Sequence, residues 1–318
     1  MRASISSLIF LLASGMAAPA SAESGGSHWT IGPYEIALTT SDTDSGPLAT
    51  FTVARGGKQI YRMTDTSFSL NPTRFFVKPG PGAASGDTQR PYRVGADLLG
   101  LGAPTLVVLG FDGGPTCCYD LTILVLGDRF RALAPLELLD SGGARFSKIP
   151  GRRTLALSFA DWTFGGWRTY FAASSAPTAI LSYDAEAGRY QADAALMRTP
   201  LPPPDRLAAW VREARAADED ATEDGRGFVP QEITQRVLDL IFAGHLDAAR
   251  KFLDAAWVGP ATGREDYWSD LTKCQLRLSP FWPTVARLNA LPALKPVEPC
   301  SRYGVDHPPH PTVLIDKP

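Results

Sequence analysis

Through the first two thirds of the chain, apolar and polar positions trade places over short distances. Tyr34 to Leu38, Ala49 to Val53, Gln59 to Met63 and Ser67 to Leu70 are β-type runs. Ser/Asp/Gly segments such as Thr40 to Gly46 and Gly56-Gly57 separate them, so hairpins are expected. Thr105 to Leu109 and Leu121 to Leu126 are continuous apolar runs of strand size, joined across Asp112-Gly113-Gly114-Pro115. Such runs suit strands buried on both faces. Further strands are expected at Thr154 to Phe159, Thr169 to Ala172 and Ala179 to Tyr183, the last turning through Asp184 to Gly188.

Pro200, Pro202, Pro203 and Pro204 end this pattern, because a proline run continues neither a ladder nor a helix. Beyond them the apolar period lengthens. Asp205 suits the N-cap of a helix carrying Leu207, Trp210, Val211 and Ala214, and an acidic linker, Asp218 to Gly227, follows. Ile233, Val237, Leu240 and Ile241 form a second stripe after Pro230, with Gly244 as its C′ stop. Leu246 to Trp257 carries a third, and the two predict an antiparallel helical hairpin. Helices at about Arg264 to Leu278 and Trp282 to Leu288 complete the set. The expected fold class is α+β: an N-terminal antiparallel β-region, then a small α-helical bundle. The divisions are 1–22 signal peptide, 23–199 β-rich domain, 200–290 helical domain and 291–318 proline-rich tail.

The signal peptide rests on Arg2, the apolar run Leu8 to Ala13 and the small residues Ala20-Ser21-Ala22. It predicts a periplasmic or secreted protein with no membrane span after cleavage. In an oxidising compartment the four cysteines are candidates for disulfides. Adjacent side chains of an extended strand leave opposite faces, so one partner region hardly serves both Cys117 and Cys118. That favours Cys274 with Cys300 and Cys117 with Cys118. Two free buried thiols at 117 and 118 are the alternative, because neighbouring Cα atoms lie only about 3.8 Å apart, below the disulfide range. Lys plus Arg 31 against Asp plus Glu 33 leaves a net charge of -2, so no field gathers phosphate backbones and nucleic acid is not expected as a partner.

Ala96-Asp97-Leu98-Leu99-Gly100-Leu101-Gly102-Ala103-Pro104-Thr105-Leu106-Val107-Val108 resembles an FG-GAP/VCBS-type repeat, the calcium-loop blade of integrin-like β-propellers. The chain is also similar to a group of exported bacterial proteins in which this loop leads into G-G-x-x-C-C, here Gly113 to Cys118. That similarity extends to Ala243-Gly244-His245 and Ser279-Pro280-Phe281-Trp282-Pro283. The resemblance implies propeller-like blades, too few for closure, and implies no chemistry. Calcium takes six to eight oxygens, mostly carboxylates. The loop keeps Asp97 but carries Leu101 and Thr105 at its other acidic positions. A second, further decayed loop, Phe146 to Leu157, carries Lys148, Arg152 and Arg153 where acids belong. No calcium is expected at either, and Leu101 is expected to turn into the core.

Asp140-Ser141-Gly142-Gly143 echoes a protease nucleophile segment, and Asp44-Ser45-Gly46 does so more faintly. A serine needs a base in reach, and His28 is the only upstream histidine, so both are read as polar hairpin turns. His245 is read as a cap or packing residue, and His307 and His310 as too few ligands for a metal site. Asp112, Asp120, Glu137 and Asp161 lie near strand ends, where a glycosidase-type pair could form, although holding turns is the favoured role. The aromatics Tyr119, Trp162, Phe164, Trp167, Tyr170 and Phe171 surround Gly165-Gly166, where rings can stack on sugars or anchor a partner.

The reading is an exported, non-enzymatic binding module with neither catalytic residues nor cofactor nor metal, meeting a protein or glycan partner. Its binding residues are Asp112, Gly113, Gly114, Tyr119, Trp162 and Trp167. Two alternatives stand beside it. One is a carboxylate-dependent hydrolase of envelope polymers. The other is a structural or assembly factor docking through the helical hairpin, for which an exposed stripe at Ile233, Val237 or Leu240 would be the signature.

Overall fold

The computed structural model describes residues 26–44, 46–70, 76–78, 90–91, 95–114, 118–141, 143–221, 228–297 and 300, with the backbone alone at 76–78, 90–91 and 218–221. The signal segment 1–22, Cys117, His307 and His310 lie outside them. Fifteen strands run in chain order as β1 Gly26–Ile31, β2 Tyr34–Thr43, β3 Gly46–Arg55, β4 Lys58–Asp65, β5 Ser67–Leu70, β6 Phe76–Lys78, β7 Arg90–Pro91, β8 Thr105–Phe111, β9 Tyr119–Leu126, β10 Phe130–Ala132, β11 Leu136–Leu139, β12 Arg145–Lys148, β13 Leu155–Ala160, β14 Thr178–Asp184 and β15 Arg189–Ala192. Among the described residues seven α-helices follow: α1 Ala194–Met197, α2 Pro204–Ala221, α3 Gln231–Phe242, α4 Leu246–Ala256, α5 Ala261–Asp270, α6 Leu276–Leu278 and α7 Trp282–Leu288. The α+β class is observed.

The strands form three sheets, none closed into a barrel among the described residues: β1-β2-β3-β4, then β10-β9-β8-β5 with β11 on β9, then β15-β14-β13-β12-β6-β7. Pairing is antiparallel except where β12 meets β6. Thr40 to Gly46, expected as a separator, instead prolongs one hairpin, since β2 runs to Thr43 and pairs with β3 down to Thr43↔Gly46. Asp140 to Ala144, expected as a hairpin turn, does not join paired strands. It carries the chain from the second sheet, which holds β11, to the third, which holds β12.

The alternation in the sequence decides how the sheets stack. In the first sheet Tyr34, Ile36, Phe51, Val53 and Tyr61 fall on one buried face. They meet Leu106, Val108, Leu124, Leu126 and Phe68 of the second sheet in a single apolar cluster. The opposite faces of the same two strands, through Val107, Leu109, Leu121, Ile123 and Val125, join another cluster with Phe146, Leu157, Phe159 and Leu181 of the third sheet. The middle sheet is therefore covered on both sides, which its unbroken apolar strands require. Tyr34 Oη donates to the Gly127 carbonyl at 2.5 Å and Arg55 Nη1 to that of Asp128 at 2.6 Å, tying the first sheet to the turn after β9.

The larger cluster continues into the helices through Ala214, Ile233, Val237, Leu253, Tyr267 and Val285, so β-region and helices share one core. The expected hairpin of α3 and α4 is present, and Gly244 adopts φ +86° at its turn. A Cβ there would stand 3.1 Å from the Leu288 carbonyl. The helix expected from Arg264 to Leu278 starts earlier, after Pro260, and loosens into a π-helical stretch at Leu271–Gln275 before α6. Cys274, within that stretch, is bonded to Cys300 with Cα atoms 5.7 Å apart, as the pairing argument expected. Arg277 Nη1 donates to Lys295 and Trp282 Nε1 to Leu294, so the start of the tail is fastened along its length. No helix among the described residues is long and apolar enough to cross a membrane.

Candidate functional site

The loop from Asp97 to Gly102 is closed by the Asp97 carboxylate. Asp97 accepts from the amides of Leu101 at 2.9 Å and Gly102 at 2.6 Å. Leu98 and Leu99 go into the core, whereas Leu101, expected to turn inward, is 41% exposed. The reason is geometric: Gly100 and Gly102, at φ +64° and +71°, reverse the chain around Asp97 and leave Leu101 at the crest.

The turn after β8 is built in the same way. Asp112 Oδ1 accepts from the amides of Gly114 at 2.9 Å and Cys118 at 2.7 Å. Its own carbonyl accepts from Thr66 Oγ1 at 2.7 Å, and its amide donates to the Cys118 carbonyl. Gly113 has φ +84°, and a Cβ on it would lie 2.8 Å from Thr66 Cγ2, so only glycine fits. Tyr119 stacks on Phe111 with ring centroids 4.6 Å apart. Cys118 is disulfide-bonded, while Cys117, which the vicinal pairing requires, lies outside the described residues.

Trp162 is half-buried against Cys118 and Leu139, and Leu139 is the register partner of Tyr119. Asp112, Gly113, Gly114, Tyr119 and Trp162 are thus gathered at one end of the second sheet. Trp167 is not with them. It is 9% exposed, and its Nε1 donates to Asp270 at 3.0 Å while its ring packs on Tyr267. The surface beside Trp162 is aromatic in another way. Trp162 stacks on Phe171 at 5.4 Å, and the next residue back, Tyr170, is 59% exposed with its ring edge-on to Phe228. Phe228 was missed in the sequence because it follows the acidic linker and belongs to no periodic stripe.

The carboxylates considered for catalysis are occupied structurally. Asp161, 3% exposed, accepts from Thr163 N and Oγ1 and, through Oδ2, from Ser279 Oγ at 2.5 Å. Ser279 Oγ in turn accepts from the amide of Phe281 and so caps the approach to α7. Ser141 Oγ accepts from the Ala160 amide at 3.2 Å, and burial raises the neighbouring Asp140 carboxyl above its ordinary range. Asp120 and Glu137 stand opposite each other in the register of β9 and β11. His245 Nε2 donates to the Thr199 carbonyl at 2.7 Å, the packing role expected of it. Arg168, in the left-handed region at φ +51°, donates through Nε and Nη2 to the same Asp270 oxygen that takes the Trp167 indole. Neither Asp270 nor Ser279 stood out as a site residue in the sequence, because each acts on a residue more than a hundred positions away. Among the described residues no group of three or more His, Cys, Asp or Glu side chains forms a metal cluster. Comparison with family models, curated proteins and solved structures found no match.

Proposed function

We propose that this chain is an exported, non-enzymatic binding module of the periplasm or the extracellular space, built on degenerate FG-GAP-like blades and a C-terminal helical bundle. Three mostly antiparallel sheets stacked face to face, the first of them a four-strand meander, support the blade reading. One observation carries the binding role. The stacked pair Trp162–Phe171 and the exposed pair Tyr170–Phe228 make an aromatic surface beside a turn held rigid by Asp112. Rings pre-set in this way offer contact area to a sugar face or a protein anchor at little entropic cost. The partner surface is therefore centred on Trp162, Phe171, Tyr170 and Phe228, with the Asp112 to Tyr119 turn at its edge and Trp167 serving as a support.

The test is retention of the purified protein on isolated envelope polysaccharide and, separately, on envelope proteins. Tyr170→Ala with Phe228→Ala should lower retention on one of them about tenfold. Equal retention of both forms on both materials would remove this surface from the binding role. The hydrolase reading draws on Asp120 opposite Glu137. It requires soluble fragments released from envelope polymer by the native chain and not by Asp120→Asn. The docking-hairpin reading loses its signature, since Ile233, Val237 and Leu240 are 1%, 0% and 2% exposed.

A further inference from the structure

Residues of the second sheet, the third sheet and α7 together line a cavity of about 460 Å³. That size falls within the range of small-molecule sites. Its walls are Leu121 and Ile123 of β9, Leu133 of the following loop, Leu181 of β14 and Phe281 ahead of α7. Each wall residue is apolar because each also belongs to the main core.

The polar groups on the same cavity are almost all committed elsewhere. Tyr190 Oη donates to the Leu155 carbonyl, and Gln191 Nε2 donates to Asp184. Thr284 Oγ1 donates to the Ala192 carbonyl and accepts from Arg287 Nη2. What remains is positive charge. Arg189 and Arg287 both line the cavity, and no lining residue is acidic. Asp184 is the register partner of Arg189, but its carboxylate is taken by the amides of Glu186 and Ala187 and by Gln191. Among the described residues neither guanidinium has a carboxylate within ion-pair distance.

An apolar chamber with two guanidiniums that lack a carboxylate partner has a definite complement, because a guanidinium binds carboxylate and phosphate oxygens through paired donors while the walls favour hydrocarbon. We infer that this cavity binds a small anionic amphiphile, with its hydrocarbon part against Leu121, Ile123, Leu181 and Phe281 and its carboxylate or phosphate head on Arg189 and Arg287. The cavity is distinct from the aromatic surface, so the two readings stand or fall separately.

Calorimetry on the full chain below the micellar concentration tests this with four probes: dodecanoate, dodecyl phosphate, dodecyltrimethylammonium and inorganic phosphate. The expected result is 1:1 binding of the two anionic amphiphiles, with the cationic amphiphile and free phosphate at least about tenfold weaker. Arg189→Gln with Arg287→Gln, both at exposed positions that leave the core intact, should weaken dodecanoate by about tenfold or more. Equal binding of the cationic amphiphile, phosphate binding as tight as dodecyl phosphate, an unchanged Kd in the double variant, or no binding of either anionic amphiphile would overturn the inference.

Discussion

Across the seam between the first and second sheets, contact is made by rings and aliphatic chains, apart from Tyr34 and Arg55, which bond turn carbonyls at its edge. Phe51 packs against Phe68 at a centroid distance of 6.1 Å, and Tyr61 lies 5.4 Å from Phe130. Across the seam between the β-region and the helices, apolar contact continues, but hydrogen-bonded side chains stitch it as well. Asp161 takes Ser279, Asp270 takes Trp167 and Arg168, Gln231 donates to the Ser174 carbonyl, and Gln235 takes the Ala176 amide. The difference follows from what is being joined. Two sheets present flat faces whose own backbone groups are already paired, so dry packing suffices. The segment from Asp161 to Pro177 is short 3-10 turns and loop, whose spare polar groups need partners once helices cover them. Hydrogen bonds of this kind specify one docking position, whereas apolar faces tolerate more than one.

Breaking the dry seam should have the largest effect. Phe51→Ala removes a fully buried ring and should cost about 3–5 kcal/mol in urea unfolding. A cost below about 1 kcal/mol would mean that the two sheets repack freely, and the contrast would fail. Breaking the stitched seam comes next. Asp161→Ala leaves the Ser279 and Thr163 hydroxyls without their acceptor and should cost about 3 kcal/mol. Hydrogen exchange should then speed up in α7 while β2 and β3 keep their protection; uniform loss across both would show that the two seams unfold as one.

The smallest effect distinguishes the seams by pH. Burial pushes the Tyr61 phenol up to about 12, against the lowering influence of the Thr122 hydroxyl. Burial raises Tyr267 in the other seam too, although its Oη bonds Thr234. A phenol that ionises less readily when folded stabilises the fold fully below about pH 10, and that contribution disappears as pH climbs through the raised value. For Tyr61 the loss should reach roughly 2 kcal/mol by about pH 11.5. Denaturation curves for Tyr61→Phe and Tyr267→Phe should each lose part of this alkaline slope. Two curves parallel to that of the native chain would show that neither phenol is responsible.

Legibility followed the range over which each signal acts. Strands β2, β3 and β4 and the unbroken runs of β8 and β9 were readable because alternation or its absence records how many faces are covered, whereas β1 was not picked out. The helix stripes and Gly244 were readable for the same local reason. The Cys274–Cys300 bridge followed from elimination among few candidates. The crossover at Asp140 to Ala144 was misread as a hairpin, because a turn signal says that the chain reverses and not which sheet receives it. Trp167 was grouped with Trp162 through nearness in sequence, yet the turn at Gly165-Gly166 sends the two indoles to different surroundings.

Local periodicity and compositional breaks were enough to specify most element types and the α+β class, since those depend on neighbours a few residues away, although Thr169 to Ala172, expected as a strand, is loop and 3-10 helix. Three arrangements came from packing: the stacking of three sheets, the Asp161–Ser279 and Asp270–Arg168 stitches, and the cavity beneath Arg189 and Arg287. Each joins residues from distant parts of the chain, and no pattern along a strand or helix encodes which faces will meet.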